Sequence, residues 1–269
     1  MTAHVQAHSI EQFQQQGATV LRGVFADWVE VLREGIAANM ADPNPNARIY
    51  HDENGGGRFF VDYCSWQRIP DYREFIFNSP VAEIASELME SNSVQLFHEH
   101  VLVKEAQTGV PTPWHQDMPY YCVDGQKTLS LWIPLDTVPR ERTLEFIAGS
   151  HRWGKFYRPR RFDGSPLNEG DDLEQLPDID ASRDEYNIVG WAVEPGDAVV
   201  FDFRTVHGAP GNNSCDDQRR AFSLRLVGEN TRFVRRPGRV TSPPFEDITL
   251  QHGEPLTGSA FPVLFTRPD

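Results

Sequence analysis

Three side chains in this sequence have the types and spacing to hold a metal. His115 and Asp117 stand two apart in Thr112-Pro113-Trp114-His115-Gln116-Asp117. On an extended strand, residues i and i+2 point to one face, so an imidazole nitrogen and a carboxylate oxygen would sit side by side. A second histidine, His207, follows far downstream in Phe201-Asp202-Phe203-Arg204-Thr205-Val206-His207-Gly208. Two histidines and one carboxylate on one face make a facial triad. Such a set suits iron(II) and leaves coordination positions open. His151, in Gly149-Ser150-His151, is the chief rival to His207 for the third position.

The elements that must position these residues fall into two parts. The N-terminal part reads as helical. Ser9 caps a helix to Gln16, Gly17 ends it, and residues 18–21 form a short strand. Asp27, with Glu30 as capping-box partner, starts a second helix whose stripe is Trp28, Val31, Leu32, Ile36 and Met40. Ser79-Pro80 starts another, with Val81, Ile84, Ala85, Leu88 and Met89 as its buried stripe. Residues 51–69, with Gly55-Gly56-Gly57, read as irregular. From Val94 the pattern changes to strands, over 94–104, 115–121, 128–135, 144–147, 198–203 and 221–227. This order predicts an α+β chain, mainly β, whose barrel or sandwich core is flanked by N-terminal helices. Residues 155–187 run basic, then acidic, without a clear period. They are expected to be a lid or a solvated insertion within a single domain spanning 1–269.

Composition narrows the class. The 269 residues are 39% hydrophobic, enough for a sizeable core, and contain no apolar run long enough for a membrane-spanning helix. A formal charge of -14 disfavours nucleic acid and anionic membranes as partners. Cys64, Cys122 and Cys215 are odd in number and lack a CxxC pair, which argues against a disulfide framework or a structural zinc site. The start of the chain has no secretory signal pattern. The expectation is a soluble, cytoplasmic monomer or homodimer acting on a small molecule.

The ordered set Trp114-His115-Gln116-Asp117, Gly149-Ser150-His151, Pro195-Gly196-Asp197, Val206-His207-Gly208, Asn213-Ser214 and Arg219-Arg220-Ala221 resembles the phytanoyl-CoA dioxygenase family, which includes the ectoine hydroxylases. The resemblance implies a double-stranded β-helix (jelly-roll, cupin-like) core. It implies Fe(II) held by His115, Asp117 and His207, with 2-oxoglutarate and O2 as co-substrates. It assigns the distal carboxylate of 2-oxoglutarate to Arg219, with Arg220 as the alternative, because an arginine fork binds a carboxylate through two parallel bonds. It puts Trp132 and His98 beside the co-substrate, while His100 and Lys104 are given structural roles. Ala209 stands where some relatives have serine, and Arg142-Thr143 where many have Asn-Gly. Asp117 argues against halogenation, since related halogenases lack the carboxylate.

The activity implied is oxidation of an unactivated C–H bond of a small metabolite, releasing succinate and CO2. A non-catalytic binder and a zinc hydrolase also fit the triad. Binding without decarboxylation would favour the first, and activity with zinc the second. For the substrate, Tyr120, Phe60 and Phe203 are candidate linings, with Tyr121 and Trp66 beside them. Arg232, in a run with Arg235, Arg236 and Arg239, is a candidate receiver for an anionic group.

Overall fold

The computed structural model describes residues 5–51, 56–162, 164–167, 172–236, 243, 245 and 248–267. Arg239, Gly55, Asp163, Glu169 and Asp171 lie outside the described residues. In chain order the elements are α1 (Ala7–Gln16), β1 (Ala18–Leu21), α2 (Val29–Ala41), β2 (Arg48–His51), β3 (Arg58–Tyr63), α3 (Pro70–Asn78) and α4 (Val81–Met89). Then come β4 (Ser93–Lys104), β5 (Thr112–His115), β6 (Val123–Asp124), β7 (Thr128–Pro134), β8 (Glu145–Ile147) and β9 (Ile188–Val189). The last are β10 (Ala198–Phe201), β11 (His207–Ala209), β12 (Arg219–Gly228), β13 (Arg232–Phe233) and β14 (Val263–Thr266).

Two antiparallel sheets make the core. The larger runs β1-β10-β7-β12-β4-β3-β2, with β14 also on β4, and the smaller runs β5-β11-β8-β9. This is the jelly-roll form of a double-stranded β-helix. The strands that build the larger sheet have two distinct faces. On β12, Phe222, Leu224 and Leu226 join Val101 and Val103 of β4 and Leu129, Leu131 and Ile133 of β7 in one apolar layer. Leu32, Ile36, Tyr72, Phe75, Ile84 and Leu88 of the helices cover that layer. Each such side chain contributes about 1.5–3 kcal/mol on burial, which fixes the helices to the sheet. The alternate residues, Arg219, Ala221, Ser223 and Arg225, face a cleft between the two sheets.

Several elements differ from the sequence expectation. Residues 58–63 are strand, not irregular, because β3 pairs with both β2 and β4. Residues 70–78 form a helix that begins with proline and buries Tyr72, Phe75 and Ile76 at i, i+3 and i+4. Ser9 is buried inside α1, whose N-cap is Gln6. Asp27 lies in a 3-10 turn ahead of α2, and Glu30 pairs with Arg33 at 2.6 Å instead of closing a capping box. Gly17 ends α1 as expected, in the left-handed region at φ 79°.

Candidate metal centre

The strand that carries His115 stops there. Asp117 has helical backbone angles (φ -76°, ψ -42°) and a 3-10 turn follows over Met118–Tyr120. His115 and Asp117 are therefore joined across a turn, not along a strand running to Tyr121. The turn is pinned from the neighbouring chain, since the N–H groups of Asp117 and Met118 both donate to the Phe203 carbonyl at 2.9 Å. The buried Gln116 amide donates to the carbonyls of Arg204 (2.9 Å) and Lys155 (3.2 Å). His207 opens β11 and stands opposite His115 in the antiparallel register. The Val206 N–H just before it donates to Ser150 Oγ at 2.8 Å. Gly149-Ser150-His151 thus shapes the loop behind the site. His151 itself lies against the Gln14 carbonyl, outside the donor group.

One donor atom from each of His115, Asp117 and His207 falls within 4.8 Å of the others. His115 Nε2 is 3.5 Å and His207 Nε2 4.0 Å from Asp117 Oδ1. Both imidazoles are fixed from behind. His115 Nδ1 lies 2.8 Å from the Pro113 carbonyl and His207 Nδ1 3.0 Å from that of Thr205. A carbonyl can only accept, so each Nδ1 carries the proton and each Nε2 presents a lone pair inward. Burial and the neighbouring His115 hold His207 down to about 3, and hence neutral. Burial works against the charge of Asp117, but the polar groups around it, the Arg225 guanidinium among them, hold its carboxyl well below the usual range. Ser130 Oγ donates to Asp117 Oδ2 at 3.1 Å and Arg225 Nη2 is 4.0 Å away. Tyr120 OH donates to Oδ1. Two imidazoles and one braced carboxylate fit a divalent iron ion.

The cleft beside these donors has an inner and an outer chamber. Arg219 and Trp132 line the inner one with His115 and His207. Arg219 Nη2 donates to the Pro210 carbonyl at 3.2 Å, and among the described residues no carboxylate pairs with it. Arg220 points the opposite way and makes a two-pronged ion pair with Asp136, at 2.6 and 3.1 Å. Lys104, given only a structural role from sequence, shares the inner chamber. Burial and Arg219 push the Lys104 ammonium well below its usual range. Burial and the Arg142 charge bring Arg219 down to about 10. Two basic groups buried side by side repel as cations, and an anion bound between them would favour the charged form of both.

Five sequence expectations are corrected here. His98 lines the outer chamber, not the one with Arg219 and Trp132, because it stands six residues along β4 from Lys104. Phe60 packs into the helix-covered layer, and its neighbour Phe59 faces the inner chamber, as strand alternation requires. Phe203 is fully buried against Phe97 and Tyr121 and reaches neither chamber. Arg232 is exposed on β13, away from both. Trp66 also lies in the helix-covered layer. Tyr120 lines both chambers and Tyr121 the outer one. Sequence reading missed His100, which lines both chambers and follows from the same period of two as His98. It missed Arg48, Arg161 and Phe162, which tertiary folding brings to the outer chamber.

A family model described as phytanoyl-CoA dioxygenase (PhyH) matches residues 13–221. No curated protein sequence matches the chain. Among solved structures, the chain is similar to the non-heme α-ketoglutarate-dependent carbocyclase SnoK from nogalamycin biosynthesis, with 22% identity, a TM-score of 0.77 and 98% of both chains covered. The epimerase SnoN, solved with Fe3+, α-ketoglutarate and nogalamycin RO, is 23% identical at a TM-score of 0.74, over 96% of this chain and 97% of that one. EctD from S. alaskensis, solved with 2-oxoglutarate and 5-hydroxyectoine, is 21% identical at a TM-score of 0.71, over 98% and 88%. No helix among the described residues is long and apolar enough to cross a membrane.

Proposed function

The chain belongs to the phytanoyl-CoA dioxygenase family of iron(II)- and 2-oxoglutarate-dependent enzymes, and from that premise we propose that it oxidises an unactivated C–H bond of a small-molecule metabolite. Hydroxylation is the default outcome, with succinate and CO2 as co-products. The observation that carries this reading is the pairing of the three-donor group with an inner chamber lined by two basic side chains, Arg219 and Lys104.

His115, Asp117 and His207 would hold the iron. Bound there with 2-oxoglutarate, it supplies the oxygen activation that side chains cannot. The other roles belong to the protein. Arg219, assisted by Lys104, receives the distal carboxylate of 2-oxoglutarate, and Trp132 walls the chamber. Arg220 is already satisfied by Asp136, which supports Arg219 as the anchor. Ser130 and Arg225 hold Oδ2 of Asp117, so Oδ1 stays turned toward the two Nε2 atoms. Phe162, packed on Phe59 at 4.9 Å, walls the chamber and supports a covering role for the described residues next to it. No side chain is required as nucleophile or general base. SnoN was solved with nogalamycin RO and EctD with 5-hydroxyectoine, and both support a small-molecule substrate without identifying it.

Anaerobic titration with iron(II) and then 2-oxoglutarate tests this reading. A weak visible charge-transfer band should appear only with both and vanish in His207→Ala. A folded protein that shows no band would turn the assignment toward a zinc hydrolase. A band without succinate formation across a substrate screen would turn it toward a binding protein.

A further inference from the structure

The outer chamber adjoins the donor group through His100, His115 and Tyr120. Arg48, Arg160 and Arg161 line it, and no aspartate or glutamate does among the described residues. The chain has 39 acidic residues against 25 Lys and Arg. A wall with three guanidinium groups and no carboxylate therefore reverses the sign of the whole protein at one place. Such a concave patch focuses the field for an anion.

Two features separate this patch from ordinary solvated arginines. Arg161 Nε is buried and has no hydrogen-bond partner. An unmet buried donor is costly, and a bound acceptor removes that cost. The backbone that carries Arg160 and Arg161 is also anchored by packing. Phe162 sits against Tyr50 and Phe59, with ring centroids 5.3 and 4.9 Å apart, and so carries its neighbours Arg160 and Arg161 to the rim. Arg48 lies on β2, beside that ring cluster. Its charge reaches over the chamber, since it opposes the rise that burial imposes on the Tyr63 hydroxyl. Arg160 is more peripheral, exposed and bonded to Gln175 at 3.3 Å.

The rest of the wall describes the body of the ligand. Tyr50, Tyr63, Tyr120 and Tyr121 give it aromatic faces. His98 Nδ1 lies 3.1 Å from the Glu99 carbonyl, which leaves Nε2 as a bare acceptor, buried and without a partner. We infer that the outer chamber binds the substrate through an oxyanion, a carboxylate or a phosphate ester, received by Arg48 and Arg161. The ring-bearing body lies along the tyrosines, and the C–H bond to be oxidised faces the metal donors. The orientation of the substrate rests on the dioxygenase reading above, while the oxyanion site does not.

Three fluorescent probes of one shape test the inference: 2-naphthyl phosphate, 2-naphthoate and the neutral 2-naphthamide. Each is titrated by fluorescence anisotropy into protein loaded with nickel(II) and 2-oxoglutarate. At least one anion should bind tenfold or more tighter than the amide, and the tighter one identifies phosphate or carboxylate as the source. Arg48→Met and Arg161→Met should each shrink that preference at least fivefold, whereas Arg232→Met keeps it. An amide that binds as tightly as both anions overturns the site, as does a preference that survives both substitutions. Arg48 is exposed on an edge strand, so its variant tests the site even where Arg161→Met fails to fold. The iron(II)–2-oxoglutarate band, measured on the same proteins, separates the two readings. Its absence from the wild type would remove the dioxygenase assignment and leave the anion result standing.

Discussion

The two faces of strand β12 differ in what they leave unfinished. Phe222, Leu224 and Leu226 face the helices in a layer that is dry and closed. Arg219, Ala221, Ser223 and Arg225 face the cleft, and there polar groups are left without partners. Arg225 Nη1 is buried and unbonded, as are His98 and His100 Nε2 on the adjacent strand β4. Unpaired buried polar atoms are costly in a stable fold. Their concentration on one face marks where ligands complete the structure, while the other face supplies the stability that tolerates them. The comparison separates two kinds of substitution: those on the cleft face should disable the protein without unfolding it, and those on the helix face should do the reverse.

The largest expected effect is on the cleft side. A partner that merely supports a metal ligand is already worth about 10–100-fold, so His115→Ala should exceed that and take iron-dependent succinate formation to background. His115 is only partly buried and its far-UV circular dichroism should not change. Full activity in this variant would sink the assignment of the triad. On the helix side, Phe222 packs against Tyr72 and Phe75, with ring centroids 4.8 and 5.6 Å apart. Phe222→Ala should cost about 3–5 kcal/mol, or roughly 10 °C in Tm for a chain of this size. The protein that stays folded should still bind 2-oxoglutarate with wild-type affinity. A loss of affinity would show that the two faces are coupled.

Arg219 and Arg220 sharpen the comparison to neighbouring residues. Truncating a buried charge that pairs with a bound carboxylate costs about 2–5 kcal/mol, so Arg219→Ala should weaken 2-oxoglutarate by at least about thirtyfold. Arg220 and Asp136 form a partly exposed pair, worth about 0–1 kcal/mol. Arg220→Ala should therefore change 2-oxoglutarate affinity less than about threefold. Isothermal titration on both variants decides, and the reverse ranking would move the anchor to Arg220.

The sequence carried the parts of this plan that depend on period and spacing. The His–x–Asp pair, the distant His207 and the long strands β4 and β12 were readable because each is local or strictly alternating. Parity was harder. Phe59 and Phe60 are equally aromatic, and only the pairing of β3 with β4 decides which one faces the cleft. Asp117 was read on a strand because nothing local announces the turn after His115. Its backbone is held by the Phe203 carbonyl, 86 positions further along the chain. α3 did leave a signal, in Pro70 with Tyr72, Phe75 and Ile76, but nine residues give a short period. Arg48, Arg161 and Phe162 meet only through tertiary folding, and no spacing rule reaches them.

Glu99 gives the smallest and most specific test, because it stands between His98 and His100 but points to the other side of the strand. Its Oε1 accepts the N–H groups of Ser65 and Trp66, while Oε2 is buried with no partner. Burial pushes this carboxyl up to about 7, against the pull of those N–H groups. The unfolded chain releases the proton near 4.5, so between pH 4.5 and 7 the folded state binds more protons and stability falls as pH rises. A shift of this size corresponds to about 3 kcal/mol. Glu99→Gln keeps the acceptor oxygen and cannot ionise. It should match the wild type below pH 4.5 and exceed its stability by up to about 3 kcal/mol above pH 7, as read by urea unfolding at each pH. Parallel curves for the two proteins would mean that Glu99 is ionised in the fold, and that the helix-covered side also holds a charge whose partner has yet to be found.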